Sequence, residues 1–447
     1  MRELFIAAER AIRYLEGLNE RGVAPDPIAV ARLAELDTPL PDQPSEAEEA
    51  VELLDSYGAA TMAMAGPRFF GFVIGGALPA TLAANWLAGA WDQNSAATVI
   101  TPLTAKLENV ALRWLRELLG LPPETGVGFV TGATMANFTC LAAARHSVLA
   151  QAGWDVEADG LFGAPQVNVV VGEEAHPSLI KSLGLAGFGR NRVVRVPVDK
   201  QGRMRADVFP DLSGPTIVCL QAGNVNTGAF DPALEIIPRA KAANAWVHVD
   251  GAFGLWAAAA PSKGHLMAGY ADADSWATDA HKYLNTPYDS GLAFVRFPEV
   301  LQAAMAVTAA YLPLYSTRDP ANFTPELSRR ARGIEVWAAL HTLGRSGLAD
   351  LIERTCRHAA RFAQGLRAAG YTILNEVVLN QVLVTFGDAE RTRRVIAVIQ
   401  QEGTCWCGGT IWQGHTAMRI SVSSWATTEA DVERSLEAMI RVAHELA

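Results

Sequence analysis

Seven short apolar runs, separated by segments of helical periodicity, constrain this chain more than any other feature. They lie at 127–130, 167–171, 193–196, 216–220, 245–249, 275–278 and 292–295. Their residues are near-continuously hydrophobic rather than alternating. That pattern belongs to strands buried on both faces, as in a mostly parallel sheet covered by helices. Ligands of such sheets sit beyond the carboxyl ends of the strands. The chemistry of the chain is therefore expected where these runs stop.

The expected class is α/β, with a mostly parallel seven-stranded sheet in a large domain over 71–300. An amino-terminal helical arm precedes it over 1–70, where Leu4, Ala7, Ala8, Ala11 and Leu15 share one helix face and a proline-rich stretch follows. A smaller α/β domain is expected over 301–447, from helices at 348–369, 391–402 and 429–445 and strands at 381–386 and 417–422. Half of the 447 residues are hydrophobic and 19% are charged, ample for a large core. The net charge of −10 argues against a nucleic-acid partner or an anionic membrane. No apolar run is long enough to span a bilayer, the amino terminus lacks the pattern of a signal peptide, and five cysteines make no disulfide framework. A cytoplasmic protein is the expectation. No metal is expected, because Cys405, Cys407 and His415 lack a second ligand pair. No P-loop occurs, and the glycines at 126, 128 and 132 are wrongly spaced for a dinucleotide turn.

Two strand ends carry the distinctive groups. The run at 245–249 stops on Asp250, and the run at 275–278 leads into Asp279, Ala280, His281 and Lys282. A carboxylate and a lysine on neighbouring strand ends are what pyridoxal 5'-phosphate (PLP) chemistry requires. The lysine holds the cofactor as a Schiff base, and the carboxylate keeps the pyridine nitrogen protonated so that the ring accepts electrons. The turn Thr131, Gly132, Ala133, Thr134 ends the first strand and opens a helix, which suits phosphate; a plain helix cap would use the same atoms. His176 follows the second strand, and Asn226 and Thr227 lie on a turn after the fourth. A structural histidine and an ordinary Asn/Gly turn are the bland readings of these positions.

Together these motifs resemble the group II PLP-dependent amino-acid decarboxylases, which include the aromatic-amino-acid, glutamate and 2,4-diaminobutyrate enzymes. The likeness runs from about residue 67 to about residue 419. It implies the PLP-dependent transferase fold of type I and a homodimer with active sites at the subunit interface. It implies that Lys282 is the Schiff-base lysine and Asp250 the partner of the ring nitrogen. Ala252 would pack on the ring face opposite His176, and Ala133 and Thr134 would grip the phosphate. His281 would reach the phosphate or the catalytic loop, with Asn226 and Thr227 near the ring. For the substrate it implies Arg330 and Arg419 as carboxylate clamps, and Phe72 and Trp91 as pocket walls.

One departure stands out. The segment 316–324 is shorter than the family's mobile loop and lacks the tyrosine that returns a proton to Cα. Tyr315, Tyr311 or His281 would have to replace it. The expected reaction is decarboxylation of an L-amino acid with an apolar or aromatic side chain to the amine. The alternatives are C–C cleavage of a β-hydroxy amino acid, an aldehyde-forming reaction, or transamination.

Overall fold

The computed structural model describes residues 1–307 and 318–446. Two compact units emerge from its contacts: one of residues 1–76, 358–374 and 382–447, the other of residues 77–357 and 375–381.

The larger unit is built on a seven-stranded sheet: β1 (Gly126–Val130), β2 (Asn168–Gly172), β3 (Val194–Val196), β4 (Thr216–Gln221), β5 (Trp246–Asp250), β6 (Ser275–Asp279) and β7 (Gly291–Val295). Its order is β1-β7-β6-β5-β4-β2-β3, with β7 antiparallel to both neighbours and the other pairings parallel. The expected mostly parallel, seven-stranded α/β architecture is what the chain forms, and every strand lies within a residue or so of its apolar run. All residues of β1, β5, β6 and β7 are buried, which is why these strands read as continuous hydrophobic runs.

The helix Ala133–Gln151 packs into the same core. Ala136, Cys140, Ala143 and Ala144 lie with Val130, Val169, Ile217 and Ala277 in one buried cluster. Small side chains on that helix let it lie close to the strands. At the edge where the parallel strands end, a Cβ on Gly291 would stand 2.4 Å from the Cα of Gly132, so only glycine permits β7 to pass this turn.

The smaller unit holds a four-stranded sheet of order β10-β11-β9-β8, made of β8 (Thr372–Ile373), β9 (Gln381–Thr385), β10 (Gly408–Trp412) and β11 (His415–Ser421). The amino-terminal residues are knitted into it. Phe70 N–H donates to Trp406 O at 2.8 Å, and Ser421 N–H donates to Phe70 O at 2.9 Å. Arg68, almost fully buried, donates to Thr404 O at 2.8 Å and pairs with Asp431 at 3.1 Å. These units therefore do not follow the division at residues 70 and 300 drawn from the sequence. The helical run Gly333–Ala368 is broken at Gly344 (φ 58°), just before the helix expected at 348–369.

Candidate active site

In a parallel sheet every strand delivers its carboxyl end to one edge, and the groups singled out from the sequence gather there. Asp250 closes β5 and Asp279 closes β6, side by side. Ala252 ties the two ends together. Its N–H donates to Asp250 Oδ1 at 3.2 Å, and its carbonyl accepts from the Asp279 N–H at 2.9 Å.

Asp279 is the hub of the lysine side of the site. Its Oδ2 pairs with Lys282 Nζ at 2.8 Å, its Oδ1 accepts the Ala133 N–H at 2.5 Å, and His281 Nε2 lies 3.4 Å from Oδ1. Ala133 opens the helix that follows β1, so the lysine, the helix start and His281 converge on one buried carboxylate. Burial holds the His281 imidazole below its ordinary value, with the Lys282 charge adding to the fall and Asp279 opposing it. The His281 Nδ1 accepts the Ser290 N–H, 3.2 Å away. Tyr288, about half exposed, stacks on the imidazole with ring centroids 4.3 Å apart. Sequence reasoning missed both Asp279 and Tyr288, although each stands within six residues of Lys282.

His176 caps the helix Pro177–Leu185. Its Nδ1 accepts the Ser178 N–H at 3.2 Å and meets Ser178 Oγ at 2.7 Å, which fixes the plane of the ring. A narrow crevice lined by His176, Cys219, Gln221, Asp231 and Asp250 opens between the ends of β2, β4 and β5. Asn226 and Thr227 sit on a tight turn in which Asn224 Oδ1 accepts both of their N–H groups, at 2.8 and 3.2 Å. The Thr227 hydroxyl is committed to Gln201 O at 2.7 Å, so what this turn fixes first is its own backbone.

The arginines divide. Arg329 is buried against Glu108, Arg332 pairs with Asp289 at 2.8 Å, and the Arg330 guanidinium already holds Glu335. Trp91 ends the helix Pro79–Trp91, partly exposed. Phe72 and Arg419 belong to the smaller unit, where Arg419 donates to Phe72 O at 3.2 Å and burial lowers its guanidinium to about 10. Tyr311 and Tyr315 lie outside the described residues.

A buried carboxylate normally has a cation or several donors beside it. Asp250 is 3% exposed, accepts from Asn137 Nδ2 at 3.1 Å and from the Ala252 N–H, and among the described residues has no ion-pair partner. A protonated pyridine supplies such a cation, Lys282 supplies the amine, and the start of the helix Ala133–Gln151 suits a phosphate. The donor set thus fits PLP.

The fold and this set of groups define a PLP enzyme of fold type I. The family model of the pyridoxal-dependent decarboxylase conserved domain matches residues 32–386, and the chain belongs to that family. It is a PLP-dependent carboxy-lyase of amino acids. It is 26% identical to tryptophan decarboxylase 1 of Oryza sativa subsp. japonica over 425 residues, 86% of this chain and 81% of the relative. It is 29% identical to the L-2,4-diaminobutyrate decarboxylase of Rhizobium meliloti (strain 1021) over 386 residues, 81% of this chain and 74% of the relative. The fold is shared with Oryza sativa TDC, solved with PLP and tryptamine, at a TM-score of 0.90 and 22% identity, covering 99% of this chain and 97% of the other. Among the described residues no helix is long and apolar enough to cross a membrane.

Proposed function

We propose that the chain removes the α-carboxylate of an L-amino acid with an apolar or aromatic side chain, and releases the corresponding amine. The observation that carries this reading is the pair of strand-end carboxylates, Asp250 without a cation among the described residues and Asp279 holding Lys282. Bound at this edge, PLP supplies an electron sink for the pair left on Cα when CO2 departs. Lys282 holds the cofactor, Asp250 the proton on its ring nitrogen, and His176 and Ala252 the two faces of the ring. Ala133, Thr134 and His281 are the groups proposed for the phosphate, for which Ala133 would have to share its N–H with Asp279, and Asn226 and Thr227 stand beside the ring.

The aromatic residues Phe72 and Trp91 support the substrate class, as does the rice relative, which is a tryptophan decarboxylase. Arg330 and Arg419 are the residues proposed for the substrate carboxylate. Of the two, Arg330 would have to share its guanidinium with Glu335. The proton returned to Cα comes from Tyr315 or from the His281 and Tyr288 stack. Trp86, Leu87, Trp91, Val99, Ile100 and Leu103 are large apolar side chains left exposed within residues 86–103 of the larger unit. Such a surface suits a second copy of the chain, and a cytoplasmic homodimer is the proposed form.

The deciding experiment is mass spectrometry of the products from a panel of amino acids incubated with the holoenzyme. Amines lighter than their parents by CO2 support the reading and name the side chain. Aldehydes, keto acids or released glycine refute simple amine formation. Tyr315→Phe and Tyr288→Phe, run on the best substrate, then separate the two proton sources.

A further inference from the structure

Behind Asp250 runs a line of buried polar side chains that the reaction does not directly need. Trp246, His248 and Asp250 stand at alternate positions of β5 and so project from the same face of the strand. Trp246 Nε1 reaches Ser275 Oγ at 2.9 Å, and Ser275 Oγ reaches His248 Nδ1 at 2.9 Å. His248 Nε2 reaches Asn137 Oδ1 at 2.8 Å, and Asn137 Nδ2 reaches Asp250 Oδ2 at 3.1 Å. Asn137, His248 and Ser275 are all fully buried.

Only one proton arrangement satisfies this line. An indole N–H can only donate and a carboxylate can only accept. Ser275 Oγ therefore accepts from Trp246, while Asn137 gives Nδ2 to Asp250 and turns Oδ1 to His248 Nε2. That leaves His248 Nδ1 to take the Ser275 proton. Burial draws the His248 imidazole down to about 3, so the ring is neutral over the working range and carries its single proton on Nε2. That proton goes to Asn137 Oδ1, and the amide N–H2 is thereby turned toward Asp250. Every link donates in one direction, and the last receives as a carboxylate. A core histidine merely satisfied in place would not need its chain of donors to end on a site residue.

We propose that Asn137, His248 and Ser275 are positioning residues: a one-way hydrogen-bond relay that locks Asp250 as an oriented carboxylate and so keeps the proton on the pyridine nitrogen of PLP. The inference rests on the reading of Asp250 as partner of that nitrogen. Because the relay is made of neutral groups, it fixes the carboxylate without supplying a cation that would compete with the pyridinium for it.

The test uses holoenzyme reconstituted with PLP labelled with 15N in the ring, whose nitrogen chemical shift reports protonation directly. Asn137→Leu should move the shift at pH 8 toward the unprotonated value and lower kcat about 100-fold, with KM changed by less than about threefold. Ser275→Ala, two links further away, should lower kcat by only about three- to tenfold. His248→Gln, which keeps a carboxamide donor, should recover much of what His248→Phe loses. Asp250→Asn is the control. If it moves the nitrogen signal while the Asn137, His248 and Ser275 variants leave it at the wild-type position, the relay is refuted and the role of Asp250 stands. If Asp250→Asn also leaves the signal unmoved, the reading of Asp250 itself is wrong. Should Asn137→Leu not fold, Ser275→Ala and His248→Gln retain the packing around Asn137 and carry the same comparison.

Discussion

Asp250 and Asp279 end adjacent strands of one sheet, both almost wholly buried, yet they are held in opposite ways. Asp279 faces an ammonium 2.8 Å away, a backbone N–H and an imidazole. Asp250 faces an amide and a backbone N–H, with no cation among the described residues. A buried carboxylate is tolerated in either setting, by a counter-charge or by dipoles aimed at it. The difference assigns them different work. Asp279 is neutralised within the chain and organises the lysine and the helix start. Asp250 is oriented by dipoles with no counter-charge among the described residues, the setting that its proposed role as partner of the pyridine nitrogen requires.

Breaking the lysine side should have the largest effect. Lys282→Ala should abolish the absorption of the bound cofactor and cut turnover by about four orders of magnitude or more, read by spectrophotometry and product assay. Unchanged turnover would remove Lys282 from the site. On the other side, Asp250→Asn keeps the shape and the acceptor oxygen but loses the charge. Cofactor should stay bound while kcat drops by about 100- to 1000-fold. A near-wild-type rate would mean that the two carboxylates do not differ in the way their surroundings suggest.

How much of this was legible beforehand follows from burial. The seven strands could be read from the sequence because strands buried on both faces are written as unbroken apolar runs, and Asp250 and Lys282 because they interrupt such runs at their ends. β10 was not read: it is half-exposed and opens with two glycines. The sign that betrays it is the two-residue turn Gln413 and Gly414, both at positive φ (45° and 86°), joining it to β11. Asn137 and His248 were invisible for a different reason. One lies inside a helix and the other inside a strand, 111 residues apart, and no local spacing says that they touch. The anchoring of the amino-terminal residues through Arg68 and Asp431, 363 residues apart, was hidden in the same way. The resemblance implies Arg330 as a carboxylate clamp, and its neighbour Glu335 shows how a local ion pair competes with that reading.

The next effect, smaller, separates the two environments by pH. His248 is held at about 3 in the fold against 6.5 as its ordinary value. A base whose folded value is depressed contributes its full stability above the unfolded value. As pH falls below about 6.5 the unfolded chain takes up the proton first, and the contribution is lost progressively down to about 3. Urea unfolding of wild type between about pH 7 and pH 4.5 should therefore decline more steeply than that of His248→Gln, by about 2 kcal/mol over the interval. Parallel declines would mean that His248 does not sit neutral behind Asp250.

The smallest effect sharpens the Asp279 side. Asp279→Asn keeps an oxygen for the Ala133 N–H but presents no charge to Lys282, whereas Asp279→Ala loses both contacts. Lys282 retains some access to water, with its side chain 17% exposed, so loss of the ion pair alone is screened in part. Asp279→Asn should lower the unfolding free energy of the cofactor-free protein by about 1–2 kcal/mol, and Asp279→Ala by about 1 kcal/mol more. The interval between the two variants isolates the Ala133 contact, and the interval between wild type and Asp279→Asn isolates the charge. If Asp279→Asn is as stable as wild type, the ammonium has no need of its counter-charge. Asp279 would then be a helix-start acceptor, closer in kind to the hydrogen-bonded Asp250 than its neighbours imply.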